Sequence, residues 1–155
     1  MAPRTLQEGA QFFTALSLVI PKASERALIR SAKLVRDEAK RVLGTYDYDW
    51  ERLKPATVKQ KATGDSPLLE TGGLRASIKY SIDKYNGIAN VGSNDPKALW
   101  HELGTVHIPP RSFLMGAAMR MEEKVHDTCG KDLFGWILQG KGPDFEDDWS
   151  YDGED

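Results

Sequence analysis

Ile78, Tyr80 and Ile82 alternate with polar residues, Asn86-Gly87 follows, and Ile88 to Ser93 resumes the extended pattern. Period-two alternation on both sides of a dipeptide that tolerates positive φ predicts a β-hairpin. That one feature disfavours a purely helical fold, and the 14 Gly and 8 Pro agree with a loop-rich body. A two-residue turn at Asn86-Gly87 would set Ile82 opposite Val91 and Tyr85 opposite Ile88. One apolar row would then cover a core, leaving Tyr85 and Ile88 as a second face open to contact.

Helical spacing frames the hairpin. Between Lys22 and Leu43, the apolar residues Leu28, Ala32, Val35, Ala39 and Val42 recur at steps of four and three. They share one helix face, with Pro21 and Ser24 marking the expected start and Gly44 the stop. Glu25, Asp37 and Glu38 interrupt the basic residues on the remaining surface, so it reads as solvated rather than as a nucleic-acid stripe. The apolar run from Phe12 to Ile20 is broken by Thr14 and Ser17 and is too short to span a bilayer, which favours an amphipathic helix.

Residues 45–73 lack sustained periodicity, with one short helix expected from Pro55 to Lys61. A connection of that length is commonly functional or mobile, and could serve a subunit as an arm. After the hairpin, Asn94 or Asp95 should cap a short helix with Pro96 at its first position, Leu99 and Leu103 on its inner face and Gly104 at its end. Val106 and Ile108 predict one more short strand, closed by Pro109-Pro110. Ser112 should cap a helix carrying Leu114, Ala118, Met121 and Val125, with a further helix from Lys131 to Leu138.

The expected fold class is α+β: a long N-terminal helix packed on a small antiparallel sheet containing the hairpin, a short inserted helix, C-terminal helices and an acidic tail. At 155 residues the chain suits one domain, drawn at residues 1–143 with a long loop at about 45–73. Residues 144–155 carry seven carboxylates and no Lys or Arg, against 21 basic and 16 acidic side chains elsewhere. Such a segment is expected to be flexible. Its aromatic residues Phe145, Trp149 and Tyr151 also suit docking on a basic neighbouring surface. Cys129 is the single cysteine, so no disulfide can form within one chain.

Catalytic motifs are incomplete. His101-Glu102 resembles part of a zinc-protease signature, but the next histidine, His107, is six residues on rather than four. A metal-dependent hydrolase using His101 and Glu102 is therefore an alternative without an evident third ligand. Thr71-Gly72-Gly73-Leu74 lacks the lysine of a phosphate loop and is simpler as a tight start to a helix. No serine has a base paired with it in the sequence. Arg111, after two prolines and before a helix start, could clamp a carboxylate, with His101 or Glu102 as a partner if folding brings them close. Trp50 and Trp100 are expected in core or interface packing.

Taken in order, several segments form a pattern. They are Trp50-x-x-Leu53-x-x-x-Thr57-x-x-x-Lys61, Leu68-x-x-Thr71-Gly72-x-Leu74-x-x-Ser77-Ile78, Val91-Gly92-Ser93, Trp100-His101-Glu102-Leu103-Gly104-Thr105 and Ile108-Pro109-Pro110-Arg111-Ser112-Phe113-Leu114. The pattern resembles the tail-completion or virion-morphogenesis family of tailed bacteriophages, minor tail components encoded among head-tail joining genes. It covers roughly residues 50–118, with Trp100 where the family often has a small residue and Ser112 where it often has proline.

The resemblance implies a small α+β structural protein without cofactor or catalytic residues, not an enzyme, working at the virion neck or upper tail. Its implied partners are copies of itself in a ring, as a hexamer, together with a tail terminator or head-closure protein, and weak contact with DNA in the lumen. Assembly in the bacterial cytoplasm is implied, with no membrane partner. A small nucleic-acid-binding module is the other alternative. Candidate family or interface residues are Trp50, Thr71, Gly72, Leu74, Tyr85, Ile88, Gly92, Trp100, His101, Glu102, Gly104, Pro110, Arg111 and Phe113, with Phe145, Trp149 and Tyr151 for tail docking.

Overall fold

A computed structural model describes residues 5–139. Its first element, α1 (Leu6–Val42), opens with a capping box. The Thr5 hydroxyl accepts from the Glu8 N–H at 3.1 Å, and the Glu8 carboxylate accepts from the Thr5 N–H at 3.2 Å. Glu8 in the first turn and Lys40 and Arg41 in the last complement the helix dipole. The expected start at Pro21 and Ser24 is corrected: the run from Phe12 to Ile20 and the segment from Lys22 form one helix with Pro21 inside it. A proline removes one main-chain hydrogen bond, and tertiary packing offsets that loss. Beyond Pro21, Ala23 and Ala27 are buried, and Arg26 and Arg30 both reach Asp132 of the last helix, at 3.7 and 2.6 Å.

That last helix, α5 (Leu114–Gln139), lies antiparallel to α1, since Asp132 meets Arg30 near one end and Arg120 approaches Glu38 near the other. Two helices were expected here, but the helix is unbroken through Lys131. Its inward series Ala117 and Met121 continues to Asp132, and packing along α1 overrides the weak helix preference of Gly130 and Gly135.

Between Leu43 and α3 (Gly73–Ser77) the chain includes only α2 (Pro55–Gln60), and it is pinned to the body rather than extended as an arm. The Gly44 N–H donates to the Pro67 carbonyl at 2.8 Å, the Tyr46 hydroxyl donates to Asp65 and accepts from the Leu53 N–H, and Pro67 is fully buried. Helix α3 starts from Gly72 at φ 82°, a left-handed position suited to glycine.

β1 (Ile78–Asp83) and β2 (Ile88–Ser93) form the two-stranded antiparallel hairpin. Its register differs from expectation: Asp83 faces Ile88, Ile82 faces Ala89 and Tyr80 faces Val91, so the loop is Lys84 to Gly87 rather than Asn86-Gly87 alone. Asp83 decides this. Its Oδ1 accepts from the N–H groups of Tyr85 and Asn86 at 3.1 and 3.0 Å, and its Oδ2 accepts from the Asn86 side chain at 2.6 Å. The shift preserves parity, so the same residues face the core, and Tyr85 (96% exposed) and Ile88 remain outside.

α4 (Pro96–Leu103) completes the element order between β2 and α5. The core gathers Ala39, Val42 and Leu43 from α1 with Leu74, Ile78, Ala98, Phe113 and Ala117. Tyr48, Trp50, Leu68 and Val91 pack against it from the side. Among the described residues, no helix is long and apolar enough to cross a membrane.

Candidate functional site

α4 is built as its boundary residues dictate. The Asp95 carboxylate accepts from the Lys97 N–H at 2.9 Å, Pro96 occupies the first turn, and Gly104 ends the helix at φ 76°. A Cβ on Gly104 would lie 2.9 Å from the backbone nitrogen of Pro110, so this close crossing also requires glycine. Which face turns inward differs from expectation. Ala98 is buried and His101 and Glu102 are half-buried at steps of three and four, whereas Leu99 and Leu103 are exposed, Leu103 at 71%. Rotation follows the polar residues because Glu102 has a partner that the leucines lack.

That partner is the N-terminus of α5. Glu102 Oε2 accepts from the N–H groups of Phe113 and Leu114 at 2.9 and 3.0 Å, and Oε1 accepts from that of Met115 at 2.9 Å. Ser112, expected as the cap, instead donates its hydroxyl to the Glu102 carbonyl at 2.9 Å. A carboxylate from α4 thus neutralises three unpaired N–H groups and the positive end of the α5 dipole. This commitment leaves the hydrolase alternative without a free base at Glu102.

The expected strand at Val106 and Ile108 is a turn. Thr105 and Ile108 exchange backbone hydrogen bonds, and the Thr105 hydroxyl accepts from the N–H groups of His107 and Ile108. Val106 is 97% exposed there, and the two prolines that follow supply no donors to a ladder. The turn returns the chain beside α4, where the Arg111 N–H donates to the His101 carbonyl at 2.6 Å.

Among the described residues, Arg111 clamps no carboxylate. Only 7% exposed, it donates from Nη2 to the Glu51 carbonyl at 3.0 Å, while its Nε has no partner among the described residues. Glu102, the acid expected to reach it, is held at the α5 N-terminus instead. His101 Nδ1 is likewise buried and unpartnered. Burial, and then the neighbouring Arg111 charge, lower the His101 pKa below the ordinary histidine value. Both residues line a cleft of about 710 Å³ between the α2 segment, the start of α3 and α4. Arg52, Lys54, Lys61 and Lys97 join Arg111 on its walls, opposed by three carboxylates, Glu51, Glu70 and Asp95.

The other candidates divide by location. Thr71, Gly72 and Leu74 also line the cleft. Trp50 is half-buried, its ring edge-to-face with Tyr48 at 5.6 Å, and Phe113 is fully buried in the core. Gly92 pairs with Lys79 on the hairpin, where an added Cβ would meet nothing, and Pro110 is exposed. Trp100, 49% exposed, shares the outer surface of α4 with Leu99 and Leu103; Val106, Met115 and Met119 expose further apolar side chains on the adjoining turn and α5. Phe145, Trp149 and Tyr151 lie outside the described residues.

One polar node had no signal in the sequence beyond its residue types. Glu38, buried on α1, takes two hydrogen bonds from Arg41 at 2.7 and 2.8 Å and one from the Tyr48 hydroxyl at 3.0 Å, with Arg120 of α5 at 3.5 Å. Hydrogen bonding from Arg41 holds the Glu38 carboxyl below its usual pKa, and burial followed by the Glu38 contact pushes Tyr48 up to about 12. The node joins α1, the connection after it and α5.

No family model, curated protein or solved structure matches the chain. The fold and its surfaces define the class as an α+β protein with a basic cleft and an exposed apolar surface on α4 and the start of α5.

Proposed function

We propose that the chain is a structural subunit of the neck or upper tail of a tailed bacteriophage, acting in tail completion and head-tail joining as one copy in an oligomeric ring. The observation that carries the assembly half of this reading is the exposure of Leu99, Trp100 and Leu103 on α4, together with that of Met115 and Met119 in the first turns of α5. Apolar side chains concentrated on one region favour burial against another chain. The two-stranded sheet adds strand edges with unpaired backbone groups, and Tyr85 and Ile88 provide apolar contacts at the hairpin.

A closed ring needs two different surfaces on each copy, one gripping the other around the circle. The α4 surface and the hairpin supply such a pair. The phage half of the reading rests on the ordered motifs between Trp50 and Leu114, which resemble the tail-completion family. Glu102, the most catalytic-looking residue within them, supports the fold through α5. Deleting the gene from the phage that carries it and imaging the lysate by electron microscopy tests the whole proposal. Filled heads separate from tails are expected; normally joined virions would refute it.

A further inference from the structure

We propose that the basic cleft beside α4 receives the carboxylate side chains of Asp144, Glu146, Asp147 and Asp148 from a neighbouring copy of the chain. The cleft is prepared for an anion by Arg111, which is more than nine-tenths buried yet hydrogen-bonded only to a neutral carbonyl among the described residues. Its Nε and the adjacent His101 Nδ1 are both without partners there. A buried guanidinium without a carboxylate is costly, and a ligand acid able to bind two of its N–H groups offsets that cost.

Further positive charge lies along the route into the cleft. Lys54 and Lys97 have no side-chain partner among the described residues, while Lys61 donates to the Ser66 carbonyl and Arg52 pairs with Asp65 at 3.3 Å. Five cations against three carboxylates on the walls favour an acidic occupant. Residues 144–148 provide four carboxylates, Asp144, Glu146, Asp147 and Asp148, and Phe145 and Trp149 beside them add aromatic contact area.

For the four carboxylates of residues 144–148, covalent reach selects a neighbour's segment over the chain's own. The cleft adjoins the start of α5, and the 26 residues of that helix separate its two ends by about 39 Å. Fully extended, the backbone from Gln139 to Asp144 spans at most about 18 Å and to Asp148 about 32 Å. Asp144, Glu146, Asp147 and Asp148 therefore fall short of the cleft on their own chain. A neighbouring copy in a ring can present them, and in that respect the inference rests on the proposed assembly.

Cross-linking the full-length protein tests the docking directly. Equal amounts of nitrogen-15-labelled and unlabelled chain are mixed, reassembled, treated with a zero-length carbodiimide and analysed by mass spectrometry. Links from Lys54 or Lys97 to carboxylates of residues 144–148 are expected, with about half joining a labelled to an unlabelled chain. Links to this segment confined to single chains, or none from either lysine, would overturn the proposal.

A second measurement uses a synthetic peptide of residues 140–155 carrying a fluorophore, added to full-length protein. The double variant Lys54→Glu, Lys97→Glu should weaken its binding at least tenfold while the circular dichroism spectrum remains unchanged. Equal binding by the two proteins would count against the cleft. If the chain proves monomeric at every concentration but the peptide binds with this charge dependence, the ring reading falls and the docking site stands. If rings form and the lysine links are missing, the docking proposal alone falls.

Discussion

Glu102 illustrates how one side chain can orient two elements. Its carboxylate fills the place of a local cap on α5 and, in doing so, turns α4 so that the leucines of that helix face outward. Glu102→Ala should cost about 1–2 kcal/mol, in the range of lost helix caps, and lower the urea midpoint without changing the slope. An unchanged midpoint would show that solvent replaces the cap. His101 carries a different signature. Its folded-state pKa lies below 6.5, chiefly through burial and then Arg111, with Asp95 acting in opposition and Lys61 and Lys97 reinforcing the shift. The unfolded chain therefore binds a proton first as pH falls, and stability declines from about pH 6.5 down to the lower folded value. Urea titrations between pH 7.5 and 5.5 should show that decline, and His101→Gln should flatten it.

At the scale of elements, the joint between α1 and α5 depends on Gly116. An added Cβ would stand 2.6 Å from the Tyr48 ring, and that ring cannot simply swing away because its hydroxyl is bonded to Glu38. Gly116→Ala should destabilise the protein by about 1–3 kcal/mol, the usual range for overpacking, as read by chemical denaturation. A neutral result would mean that Tyr48 repacks without losing Glu38. Elements defined by local signals were legible in the sequence: α4 with Asp95, Pro96 and Gly104, and the hairpin with its alternating strands. The hairpin register was less so. Asn86-Gly87 alone satisfies a two-residue turn, whereas the three hydrogen bonds to the Asp83 carboxylate favour the four-residue loop.

For the molecule as a whole, the arrangement of surfaces leads to an assembly prediction. Leu103→Asp combined with Trp100→Asp places charge in the exposed apolar region of α4 without disturbing the buried Ala98 side. Light scattering should show an oligomer for the natural sequence and a monomer for the double variant, with matching circular dichroism spectra. An oligomer that survives both substitutions would remove this surface from the ring contact. Docking of the acidic segment on a neighbouring copy, as proposed, predicts that assembly weakens as salt rises, which light scattering across a salt series would show.

The sequence by itself determined the α+β class, the hairpin, the capped α4 helix and the contrast between a basic body and an acidic C-terminal segment. Each follows from residues close together in the chain, where spacing and turn chemistry act directly. Only tertiary structure decided that α1 continues through Pro21, that α5 is unbroken, and that Glu102 rather than Ser112 caps it. It also decided that Arg111 is buried with a carbonyl partner in a cleft shared with His101. Those outcomes depend on groups far apart in sequence, whose burial and hydrogen bonding outweigh local propensity once the chain has folded.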